Sequence, residues 1–170
     1  FMGWSEEHIL RGVELLDKDV EVLCVSEFSK RFERGGVKSQ VIDYSISVVG
    51  PSDITVKLLE YAKKLGHRTW AKIQVNNSWE CSAVPYIPAF DLMLEHISNL
   101  KKLGVTGLMM GWSLGGYPGG ALPLCCMACG RGEPDTERWY REVYGPQSGA
   151  ARSAVRAISE AFREFPFSIE

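Results

Sequence analysis

Apolar positions recur in two different rhythms along this chain. Behind Ser5-Glu6-Glu7, an N-cap followed by acidic first-turn residues, Ile9, Leu10, Val13 and Leu16 fall at helical spacing and predict a first helix. Glu21 to Glu27 (EVLCVSE) then predicts a buried strand that ends in polar residues. Residues 28–38 form a charged loop with Gly35-Gly36 as its turn. Gln40 to Val49 is β-rich and predicts a second strand, stopped by Gly50-Pro51-Ser52-Asp53, which also caps the next helix. In that helix Ile54, Val56, Leu58, Leu59, Ala62 and Leu65 share a face, and Gly66 supplies its C-cap. Arg68 to Val75 is the third strand, Ala89 to Leu103 a helix ended by Gly104, and Val105 to Trp112 the fourth strand. A Gly/Pro-rich loop follows, then a short helix near 135–143 and a last helix over about 148–165.

Strands alternating with helices of this length imply parallel βαβ units, with the strands buried on both faces. A dinucleotide-binding sheet would carry GxGxxG after its first strand, and none stands there. The glycines Gly115, Gly116, Gly119 and Gly120 follow the last strand, but Pro118 interrupts them. The pattern therefore predicts an α/β fold of the (β/α) barrel type. A complete TIM barrel needs about 250 residues. Four strands in 170 residues amount to its C-terminal half, a single domain over 1–170. The chain begins at Phe1, so the expectation is a part of a longer protein, or else a half-barrel that forms a homodimer through its open edge.

Composition narrows the function classes. A net charge of −2 gives no basic footprint, which argues against a nucleic-acid partner and against a polybasic membrane contact. No apolar run reaches the roughly 20 residues of a membrane helix, and the N-terminus lacks the pattern of a signal peptide. Five cysteines, three of them at 125, 126 and 129, do not make a disulfide framework. Reduced thiols suggest a cytoplasmic setting. Cys126-x-x-Cys129 has no second pair or histidines to complete a zinc set, so no metal and no cofactor is expected.

In a barrel the chemistry sits just beyond the strands. The residues there are Glu27, then Asp43 and Tyr44, then Asn76, Asn77, Trp79 and Glu80, and finally Trp112 and Tyr117. Hydrolysis of a glycosidic bond needs two carboxyl groups, one as acid and one as nucleophile or base, and Glu27 and Glu80 are the two strand-exit glutamates. Amides can hold sugar hydroxyls and an indole can stack on a pyranose, so carbohydrate is the expected partner. Simpler roles exist for each: a helix cap for Glu27, a buried ion pair for Asp43, turn geometry for Asn76 and Asn77, core packing for the tryptophans. Gly111-Trp112-Ser113-Leu114-Gly115 matches GxSxG, yet lacks the helix that a nucleophile elbow needs. His8, His67 and His96 fall away from the strand ends and are read as surface or packing residues.

Three runs carry a family likeness: Val41-Ile42-Asp43-Tyr44-Ser45-Ile46-Ser47 with Gly50-Pro51, Lys72 to Glu80, and Gly111 to Pro118. Together they resemble the later strands of family 20-like glycoside hydrolases, the hexosaminidase-related barrels. The resemblance implies sugar hydrolysis at the strand ends. The Asp-Glu pair that marks the acid/base site of that family is not among these residues, and would be expected upstream of Phe1. The competing expectations are a non-catalytic carbohydrate-binding half-barrel and a serine hydrolase using Ser113.

Overall fold

A computed structural model describes residues 5–81, 84–111 and 119–166, without the Trp79 side chain. Six α-helices and five strands are formed among them. Helix α1 (Glu6–Glu14) starts where expected, with Ser5 Oγ accepting from His8 N–H at 3.3 Å. Strand β1 (Val22–Val25) follows. Helix α2 (Asp53–Lys64) is capped by Ser52 and followed by Gly66 at φ +90°, a conformation that suits glycine. Strand β4 (Thr69–Lys72), helix α3 (Phe90–Leu103) and strand β5 (Gly107–Met109) complete the alternating part, and Gly104 closes α3 in the left-handed region. Helices α4 (Leu122–Ala128), α5 (Thr136–Tyr144) and α6 (Ser148–Arg163) end the chain.

The barrel expectation is overturned. β1, β4 and β5 form a three-stranded parallel sheet in the order β1-β4-β5, with Val22 opposite Thr69 and Trp70 opposite Gly107. Among the described residues β1 and β5 each have one partner, so the sheet is open at both sides, whereas a barrel closes on itself. The sheet edges are β1 and β5.

Two elements account for the difference. The charged loop is a hairpin, β2 (Arg31–Arg34) and β3 (Val37–Gln40), joined by Gly35-Gly36, both at positive φ as a two-residue hairpin turn requires. Of the expected strand over 40–49 only Gln40 is in a strand, as the last residue of β3, and 41–49 is irregular. Its backbone is buried, but side chains bond it in place of a ladder. Ser45 N–H donates to Glu27 Oε1 at 2.7 Å, Ser47 N–H to Glu80 Oε1 at 3.2 Å and Val48 N–H to Ser45 Oγ at 2.8 Å. Its carbonyls are met by Arg34 at Ser47, Lys30 at Val49 and Asn99 at Gly50. Buried peptide groups need partners of some kind, and this segment finds them on charged and amide side chains.

One face of the sheet is covered by helices. Val22 and Cys24 pack on Ile9 and Val13 of α1 and Leu58, Leu59 and Ala62 of α2. Ala71, with Ile73 and Val75 just beyond β4, packs on α3, α4, α5 and α6, where Trp139 meets Phe90 edge-on at 5.8 Å. Alternate residues, Leu23, Val25, Trp70, Lys72 and Met109, point to the other face, where Leu23 and Met109 are exposed. Trp70 lies across Gly107, and a Cβ there would come within 2.2 Å of the indole ring. Gly107→Ala is expected to cost on the order of 1–3 kcal/mol through displacement of that ring. Urea unfolding checks this, and an unchanged midpoint would refute it.

Candidate functional site

The polar residues beyond β1 and β4 converge on one residue of the irregular segment, Ser45. Glu27, two residues past β1, is fully buried. Its Oε1 accepts the Ser45 N–H, and its Oε2 has no hydrogen-bond partner. Glu80, in the 3₁₀ turn Trp79–Cys81, is half-buried. Its Oε1 accepts from the hydroxyls of Ser45 and Ser47 and from Ser47 N–H, while its Oε2 is buried without a partner. The two strand-exit glutamates are thus brought together, bridged through a single serine. Burial pushes the Glu27 carboxyl up to about 8, against the lowering effect of the Ser45 bond, and the neighbouring Glu80 adds to the rise.

Asp43 and Tyr44 precede that serine. The Lys72 ammonium, from the end of β4, lies 3.3 Å from the centroid of the Tyr44 ring. Burial raises the Asp43 carboxyl, while Lys72 and a bond from Tyr44 oppose the rise. These three residues border an apolar cavity of about 370 Å³ around β1, walled by Leu23, Val25, Phe28 and Ile42 and reaching Ile9 of α1 and Ile54 of α2. Asn76 and Asn77 are buried at the end of the β4 segment. Asn76, at φ +31°, uses its Oδ1 to accept from Ala121 N–H at 3.1 Å and so serves the fold. Gln74 Oε1, Asn77 Oδ1 and Ser78 Oγ, in the run that leads to Glu80, are buried without a hydrogen-bond partner. Trp112, Ser113 and Tyr117 lie outside the described residues, as does the Trp79 side chain.

Sequence reasoning passed over Lys72, the serines and His96. His96, expected to be a surface or packing residue, is buried on α3, with Nε2 2.6 Å from Ser26 Oγ and 4.0 Å from Glu27 Oε2. Burial, helped by Lys30, holds its imidazole neutral down to about 3. Leu92, His96 and Leu100 recur four residues apart and are all buried, a stripe that could have placed His96 inside.

Among the described residues no group of three or more histidines, cysteines and acids is arranged to hold a metal ion. None of their helices is long and apolar enough to cross a membrane. No family model, no curated protein and no solved structure matches the chain.

Proposed function

We propose that the chain is a carbohydrate-active hydrolase that cleaves a glycosidic bond with Glu27 and Glu80. The observation that carries this reading is the bridge through Ser45, which brings the buried Glu27 carboxyl, two residues beyond β1, beside the Glu80 carboxyl in the 3₁₀ turn that follows β4. Neighbouring carboxyl groups whose environments differ provide the acid and the base or nucleophile of glycoside cleavage. Glu27 keeps its proton through neutral pH and fits the acid. Glu80 then serves as nucleophile or base. One hydrogen bond, from Ser45 N–H, ties Glu27 to the segment that covers it, and that segment must part from it for the carboxyl to reach a glycosidic oxygen. Asp43, Tyr44, Asn77 and Trp79, with Trp112 and Tyr117, complete the proposed sugar contacts. Five free cysteines support a reducing, cytoplasmic setting.

A second reading, carbohydrate binding without hydrolysis, draws on the same contacts. The full burial of Glu27 favours it, because both glutamates also act as hydrogen-bond acceptors for the segment around Ser45. A panel of 4-nitrophenyl glycosides separates the two. Hydrolysis is expected for at least one pyranoside, with kcat/KM falling above a limb near pH 8, where Glu27 loses its proton. No turnover with oligosaccharide binding detected by calorimetry would replace the first reading by the second. Neither turnover nor binding would end both.

A further inference from the structure

The Glu27 carboxyl is unusual in being half bonded. Ser45 serves Oε1, whereas Oε2 has no partner although a histidine nitrogen lies 4.0 Å away. The reason lies in what that nitrogen already does. A neutral imidazole nitrogen offers either one proton or one lone pair, and Nε2 of His96 spends it on Ser26 Oγ at 2.6 Å. The couple withholds a donor in the tautomer that carries the proton on Nε2, where that proton goes to Ser26 Oγ and none is left for Oε2.

The Ser26–His96 pair is held from several sides. Ser26 N–H extends the β1–β4 ladder by donating to Lys72 O at 3.0 Å, and Ser26 O accepts from Ser52 N–H at 2.8 Å. Gly50 presses its backbone against the couple: a Cβ there would lie 2.4 Å from His96 Nε2 and 2.8 Å from Ser26 Oγ. Asn99, three residues along α3 from His96, donates to Gly50 O at 3.0 Å. The glycine is what allows strand end, helix and segment to meet at this point.

We propose that Ser26 and His96 form a fixed couple that withholds hydrogen-bond donors from Glu27 Oε2, which makes His96 a positioning residue for the Glu27 carboxyl. A donor at Oε2 would favour the carboxylate, so its absence keeps the proton on Glu27. The other titratable groups acting on this region are Cys24, Lys30, Tyr44, Lys72 and Glu80. Of these, Lys72 lowers and Glu80 raises the carboxyl.

The inference rests on Glu27 as the acid only for its catalytic consequence, because the protonation of Glu27 can be read without any substrate. The test follows the protonated-carboxyl stretch by infrared difference spectroscopy on the whole chain across pH, with Glu27→Gln identifying the band. Ser26→Ala frees Nε2 to turn to Oε2 and is expected to lower the Glu27 midpoint by about one unit or more. His96→Gln, whose amide can still hold the Ser26 hydroxyl, is expected to keep the wild-type midpoint. An unchanged or raised midpoint in Ser26→Ala overturns the proposal. Should that variant fail to fold, Ser26→Cys keeps the volume and weakens the bond, and its midpoint must also fall. If the wild type hydrolyses glycosides, the alkaline limb of kcat/KM must shift with the infrared midpoint. A shifted midpoint in a chain without turnover upholds the couple and removes the hydrolase reading.

Discussion

Glu80→Gln is expected to lower hydrolysis of the best aryl glycoside by on the order of 10³-fold while leaving KM within about threefold. The substitution separates chemistry from folding. In the wild type Ser45 Oγ, Ser47 Oγ and Ser47 N–H all donate to one oxygen, Oε1. The Oε1 of a glutamine accepts the same three bonds, so the buried segment around Ser45 keeps its support. What disappears is the nucleophilic or basic oxygen at Oε2. Steady-state kinetics together with a thermal melt checks both halves: the rate falls and the melting temperature holds. Turnover within a few-fold of wild type would make Glu80 a structural acceptor only.

Glu27→Gln gives a different signature, which distinguishes the two carboxyl groups. An acid matters most when the leaving group is poor, since proton donation then contributes more to the transition state. The loss is therefore expected to be larger for alkyl glycosides than for 4-nitrophenyl glycosides, whereas Glu80→Gln reduces both alike. Equal losses in the two variants would remove the assignment of Glu27 as the acid.

What could be read in the sequence was the periodic part. α1, α2, α3, α5 and α6 followed from apolar spacing and caps, and β1, β4 and β5 from short apolar runs between them. α4 was missed because Gly119, Gly120 and Pro123 masked a seven-residue helix with no capping side chain. The hairpin β2–β3 was taken for a loop because every residue of β3 faces water, so no alternation of apolar and polar marks it. The hardest stretch was Val41 to Gly50. Its β-rich composition is real, but Glu27, Glu80, Arg34, Lys30 and Asn99, all distant in sequence, bond its peptide groups. Local pattern does not encode such partners, and the barrel expectation rested on strand–helix alternation and the missing GxGxxG, neither of which fixes whether a sheet closes. The glutamates themselves were legible from their place after the strands. Their bridge was not, since it depends on where Ser45 falls in three dimensions.

The stability of the fold is expected to be flat between about pH 4.5 and 6.5 as far as Glu27 and His96 set it, and to decline on both sides. Glu27 has an ordinary value of 4.5 and a folded value of about 8. Between those limits the folded chain keeps a proton that the unfolded chain releases, so stability falls as pH rises through the window. His96 has an ordinary value of 6.5 and a folded value of about 3. Over that range the unfolded chain binds a proton that the folded chain refuses, so stability rises with pH. Each slope approaches about 1.4 kcal/mol per pH unit for a complete difference of one proton. From 4.5 to 6.5 the two slopes oppose each other and cancel. Above 6.5 only Glu27 acts, and about 2 kcal/mol is lost by pH 8; below 4.5 only His96 acts, with a similar loss by pH 3. Urea unfolding at fixed pH values traces this profile, and the variants divide it. Glu27→Gln is expected to abolish the alkaline decline, so that stability climbs to pH 6.5 and then holds. His96→Gln is expected to abolish the acid decline, leaving a fall that starts at 4.5. A Glu27→Gln protein that still weakens between pH 6.5 and 8 as the wild type does would show that this carboxyl does not retain its proton in the fold, and the acid role proposed for it would go with that result.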